Sequence, residues 1–118
     1  MDNFKFVVQG DPRSKARPRV VRGRTFTPKT TMEAEASVAA AASDALEGVD
    51  WDFTGPMRLD IDFYMKTARL TDCDNLAKLV MDAIQGLVFE NDSQVSDLHV
   101  RRFNRADEPR TEVSVWRI

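Results

Sequence analysis

The sequence predicts an α/β protein, more narrowly an α+β one: a single domain in the order β-α-β-α-β-β, with a mixed sheet and helices packed on it. Three observations predict this. Met57 to Lys66 alternates strictly, with Met57, Leu59, Ile61, Phe63 and Met65 on one side and Arg58, Asp60, Asp62, Tyr64 and Lys66 on the other. Asp72 to Gln85 then switches to a helical period: Leu76, Leu79, Val80, Ala83, Ile84 and Leu87 form one apolar stripe. Two more strand-like runs follow, so strands and helices interleave along the chain. A chain of 118 residues fits one compact domain spanning 1–118.

Each element has its own signal. Phe4 to Gln9 reads as a half-buried strand that Gly10-Asp11-Pro12 ends. Residues 11–30 hold Pro18, Gly23 and Pro28 and read as a long loop, with room for a short ribbon. A loop of that length in a compact domain is usually functional or disordered. Thr30 with Glu33 forms a capping-box pattern that opens an alanine-rich helix to about Leu46, and Gly48 is its stop. The small side chains of that helix suit close packing on the sheet or on a partner helix. Thr71 with Asp74 predicts a cap for the second helix. Val95 to Asn104 and Glu112 to Ile118 read as strands, and the turn Arg105–Pro109 between them predicts an antiparallel hairpin.

Composition excludes several classes. Cys73 is the only cysteine and His99 the only histidine, so an intramolecular disulfide and a Cys/His zinc cluster are both ruled out. Cys73 reads as a small packing residue and His99 as a surface residue without an obvious partner. No apolar run approaches the roughly 20 residues of a membrane span. Met1 to Lys5 has no basic segment leading into an apolar one, so no signal peptide is expected, and the expected location is the cytoplasm. Walker loops, dinucleotide fingerprints and Gly-x-Ser-x-Gly elbows are absent, so no organic cofactor is expected.

The net charge of −2 conceals a local excess. Between Asp11 and Thr30 stand Arg13, Lys15, Arg17, Arg19, Arg22, Arg24 and Lys29 against one acid, a net +6. A solvated loop would carry such a run without consequence. A basic arm on a slightly acidic protein also suits contact with nucleic-acid phosphates.

The acids gather elsewhere. Asp72 and Asp74 stand at the head of the second helix, Asn75 beside them, and Asp92 lies in the turn after it. Acids at a helix N-terminus meet the macrodipole, which is worth about 0.3–1 kcal/mol each at exposed sites. Carboxylates brought together need a compensating charge, and all-oxygen ligands suit a hard cation such as Mg²⁺. Asp74, Lys78 and Asp82 form a ridge at i, i+4 and i+8. Lys78 is either an ordinary helix partner of Asp74 or a cation that faces a phosphate. Asp82 and Asp62 are secondary candidates, and Tyr64 suits either stacking or a sheet edge. For Asp92 to reach the helix head, the Val95 strand must run back beside the Met57 strand, or a partner chain must help.

The run Asp72-x-Asp74-Asn75-x-x-Lys78, then Asp82-Ala83-Ile84, then Asn91-Asp92-Ser93-Gln94-Val95, resembles the RusA family of Holliday-junction resolvases. Lys15-Ala16-Arg17-Pro18-Arg19 and Phe26-Thr27-Pro28 resemble that family's front elements, so the likeness covers nearly the whole chain. It implies a homodimeric, Mg²⁺-dependent endonuclease, with Mn²⁺ as an alternative ion, encoded in many cases by phages. Such an enzyme resolves four-way DNA junctions in recombination and repair by paired symmetric nicks, leaving 5′-phosphate and 3′-hydroxyl ends. The resemblance makes Asp72, Asp74 and Asp92 the metal-binding acids and Lys78 the active-site lysine, with the 11–30 arm on the DNA backbone. Asn91 departs from the pair of adjacent acids common in the family, which implies weaker metal affinity. Two other classes remain open: a non-catalytic junction-binding protein of the same fold, and a metal-dependent phosphoesterase for small substrates.

Overall fold

The computed structural model describes residues 2–16 and 19–118. The elements are β1 (Asn3–Gln9), β2 (Arg19–Val21), β3 (Arg24–Phe26), α1 (Lys29–Leu46), β4 (Met57–Tyr64), α2 (Cys73–Ile84), a 3-10 turn (Asp92–Gln94), β5 (Val95–Phe103) and β6 (Arg110–Arg117). Four strands form one mixed sheet in the order β1-β6-β4-β5. β4 runs parallel to β5 and antiparallel to β6, and β1 closes the other side antiparallel to β6. The β2-β3 ribbon stands apart as a second, two-stranded sheet.

The alternation in β4 decides the layering. Met57, Leu59, Ile61, Phe63 and Met65 are buried against the helices, joined by Phe4 and Phe6 of β1 and by Val113 and Val115 of β6. From the helix side, Leu76, Ala77, Leu79, Val80 and Ile84 of α2 and Val38 and Ala42 of α1 meet them. α1 packs on both α2 and β1 through Thr31, Val38 and Ala42, while Ala36, Ser37, Ala40 and Ser43 stay exposed. The α2 stripe ends where Gly86 takes φ 86, a left-handed conformation that lets Val88 N–H return to Ile84 O at 2.9 Å.

The sheet's second face carries charge. Asp62 accepts two bonds from Arg101, at 2.7 and 3.3 Å, and Asp60 pairs with Arg58. Arg58 lies over the Trp116 ring and Arg110 over Tyr64, which stacks on Phe103. His99 finds a partner that the sequence did not suggest, Asp97 at 2.8 Å.

Three local expectations are corrected. β5 and β6 do not form a hairpin; they flank β4, whose two edges each take a partner. Loop 104–109 crosses over the end of β4, with Arg105 N–H on Thr67 O and Ala106 N–H on Met65 O. Six residues reach that far easily, because two strand spacings are only about 10 Å. Neither capping box forms as expected. α1 begins two residues earlier, with Pro28 rather than Thr30 in the N-cap position and no side-chain cap. Asp72 itself is the N-cap of α2, its carbonyl accepting from Leu76 N–H at 3.1 Å, so Thr71 lies outside the helix. A capping box occurs instead at Asn91 and Gln94.

Candidate metal and phosphate site

Asp72 stands half out of α2 at its head, and Asp74 follows in the first turn. The loop that delivers Asp72 is held from several sides. Lys66 N–H donates to Asp11 Oδ1 at 2.8 Å, Thr67 O accepts from Arg105 N–H, and the Arg102 guanidinium donates to Thr71 O. Asp72 and Asn75 line an open cleft of about 570 Å³ whose other walls include Arg13, Arg69, Thr30 and Thr67. Asp74 accepts Asn75 N–H at 3.0 Å, and no ion pair to Asp72 or Asp74 occurs among the described residues.

Lys78 lies one turn further along α2. Its Nζ is 3.1 Å from Asp82 Oδ1 and 3.9 Å from Asp92 Oδ2. Asp92 is therefore beside the middle of α2, not at its head. Because β5 runs parallel to β4, Asp92 enters at the β4 end opposite the one that leads to Asp72. Asp82, the other acid against Lys78, lies about 12 Å of helical rise beyond Asp74. Among the described residues, no group of three His, Cys, Asp or Glu side chains is placed to hold a metal ion. Asp72 and Asp74 fit part of a hard-cation site; one chain by itself does not assemble Asp92 onto it.

Of the arm, Arg13, Arg22, Arg24 and Lys29 are exposed. Arg22 at φ 50 and Gly23 at φ 76 form the two-residue tip of the β2-β3 ribbon, the signature of a type I′ hairpin, so Arg22 and Arg24 stand at its exposed end. Arg17 lies outside the described residues, as does the side chain of Arg19. Lys15 corrects the expectation of a free phosphate contact: its ammonium is paired with Glu35 and Asp82. Asp62 lies across the sheet from α2 and is paired with Arg101, which removes it from this site.

Residues 9–116 match the family Endodeoxyribonuclease RusA. The chain belongs to that family. A curated relative from Bacillus subtilis (strain 168), the uncharacterized protein YqaN, is 30% identical over 140 aligned positions covering 98% of this chain and 96% of its own. The match takes in the basic arm, both helices, strands β2 to β5, β6 as far as Trp116, and only Gln9 of β1.

In this RusA-family chain, the turn bearing Asp92 is built by residues without an obvious signal. Gln94 accepts from Glu90 and Asn91 N–H, at 2.8 and 2.9 Å, and donates to Phe53 O and Gly55 O, at 2.9 and 2.8 Å. Gln85 Oε1 accepts Asp92 N–H at 3.2 Å. Asn91 caps the turn through Ser93 N–H at 2.9 Å, a role that an aspartate fills equally well. Arg69 in the cleft and Arg102 beneath Thr71 were also missed. The one legible clue was the Asn91-x-x-Gln94 spacing, a capping box.

Proposed function

We propose that this chain is a Mg²⁺-dependent, structure-selective endodeoxyribonuclease that resolves four-way DNA junctions by paired symmetric nicks. The observation that carries this reading is the Asp72–Asp74 pair, without an ion pair among the described residues, one turn from Lys78 in a chain of the RusA family. Mg²⁺ bound there supplies phosphate neutralisation and acidifies the attacking water. Asp72 and Asp74 hold the ion, and the Lys78 ammonium offsets charge that builds on the phosphate. Arg13, Arg22, Arg24 and Lys29 contact backbone phosphates, which orient the duplex arms without reading sequence.

Asp92 is the third carboxylate in this proposal, and the partner chain of a homodimer brings it to the pair. A two-fold dimer also presents two equivalent sites to a junction of approximate two-fold symmetry, which matches the need for two nicks. The protein acts in the cytoplasm, in recombination and repair. The test is a labelled synthetic four-way junction incubated with purified protein in Mg²⁺ and in EDTA. Paired nicks in Mg²⁺ alone are expected. Binding without cutting would mark a junction-binding protein. Hydrolysis of a small phosphodiester with the junction untouched would mark a phosphoesterase.

A further inference from the structure

Lys15 is the root of the basic arm, and three bonds fasten it to the helix layer. Its backbone N–H donates to Asn75 O at 3.0 Å, its ammonium donates to Glu35 Oε1 on α1, and its Nζ is 3.2 Å from Asp82 Oδ2 on α2. The second Asp82 oxygen is 3.1 Å from Lys78 Nζ. One carboxylate thus bridges two ammonium groups of unequal access. The Lys78 side chain is 54% exposed and available to a ligand, whereas Lys15 is 26% exposed and Asp82 24%. The Glu35 hydrogen bond, opposed by burial and aided by Asp82, raises the Lys15 pKa above its ordinary 10.5, so the ammonium stays charged at neutral pH.

We propose that Lys15, Glu35 and Asp82 form a positioning cluster, which docks the root of the basic arm on α1 and α2 and holds the Lys78 ammonium through the shared Asp82 carboxylate. A lysine on four rotatable bonds is poorly aimed by an exposed i,i+4 partner alone. Asp82 is a better anchor because Lys15 fixes its other oxygen. Lys15 then serves geometry rather than phosphate binding, and Asp82 acts through Lys78 without touching substrate. The consequence for cleavage rests on the nuclease reading above; the docking of the arm does not.

The test uses the full chain. In Ca²⁺, Lys15→Met should leave the log–log salt slope of four-way-junction binding unchanged, whereas loss of a phosphate contact would lower it by about 0.9 and overturn the assignment. In Mg²⁺, Asp82→Asn should slow single-turnover cleavage about tenfold in the wild-type background. It should cost under about twofold in a Lys78→Ala background, because the cluster acts through that lysine. Equal losses in both backgrounds would overturn the positioning role. Docking is read without activity, by tryptic nicking within residues 19–27. Lys15→Met, Asp82→Asn and the shape-conserving Glu35→Gln should each speed it by about fivefold at an unchanged melting temperature. Unchanged nicking in all three would overturn the docking. If the wild type cuts no junction, the nuclease reading fails and the nicking result alone decides the cluster.

Discussion

Asp72 and Asp74 differ from Asp82 and Asp92 in one respect: Lys78 lies against the second two, and among the described residues no cation pairs with the first two. An acid already paired loses that partner when it takes a metal, whereas the helix-head acids lose nothing. Asp72→Asn and Asp74→Asn should therefore each lower Mg²⁺-dependent cleavage by at least about 100-fold, since metal assistance is worth several kcal/mol and each 1.36 kcal/mol is tenfold. Junction affinity should stay level or rise, because a negative charge near the phosphates is gone. Gel-shift titration beside single-turnover cleavage reads both quantities, and wild-type nicking by either variant would place the metal elsewhere.

Two elements carry functional side chains on very different supports. The turn holding Asp92 is short and has little buried surface, so hydrogen bonds must fix it. Gln94 supplies four of them. Gln94→Ala should destabilise the chain by about 1–3 kcal/mol, through orphaned groups around a half-buried amide, and lower cleavage through Asp92. Urea unfolding gives the first number and nicking assays the second; a fully stable, fully active variant would refute the role. In the β2-β3 ribbon Val20 and Val21 are 71% and 51% exposed, so neither anchors it on the core. Arg22 and Arg24 are exposed and open to phosphate. Replacing Arg22 and Arg24 with Ala should reduce the log–log salt slope for duplex and junction alike by about 1.8. Titration in Ca²⁺ at several salt concentrations checks this, and an unchanged slope would reduce the ribbon to a solvated loop.

At the scale of the whole molecule, the proposed sharing of Asp92 between partner chains is open to a direct test, since among the described residues no three acids are placed together to hold a metal. Asp72→Asn and Asp92→Asn chains should each be inactive alone. Mixed and allowed to exchange subunits, they should regain activity, because one of the two shared sites then holds only native carboxylates. The product should carry a single nick, and a mixture that stays inactive would show that each site is built within one chain. The sheet's open face governs stability in acid. Glu112 is held below its ordinary 4.5, first by the Lys5 ammonium and also by Arg110. A depressed folded pKa gives stability that is present above about 4.5 and lost as pH falls through the lower folded value. Melting temperatures measured from pH 6 to pH 3 should therefore fall less steeply for Glu112→Gln than for the wild type.

The sequence by itself determined the elements that repeat a pattern. The alternation of β4 and the stripe of α2 each carry enough apolar residues at one period to specify an element and its buried face. The candidate acids stand in a local motif, Asp72-x-Asp74-Asn75-x-x-Lys78, so the sequence alone proposes them. What only the tertiary structure decided depends on distance between separate segments. Whether loop 104–109 makes a hairpin or crosses β4 is a contest for the edges of one strand, which no local pattern records. The same holds for Lys15. It looked like one more cation in a basic run until Glu35 and Asp82, on two helices, were seen to converge on it. Asp92 shows the reason most directly: the parallel β4-β5 pair, rather than the spacing of the motif, sets the end of β4 at which it enters. Sequence separation fixes residue order, whereas the pairing of strands fixes which residues meet.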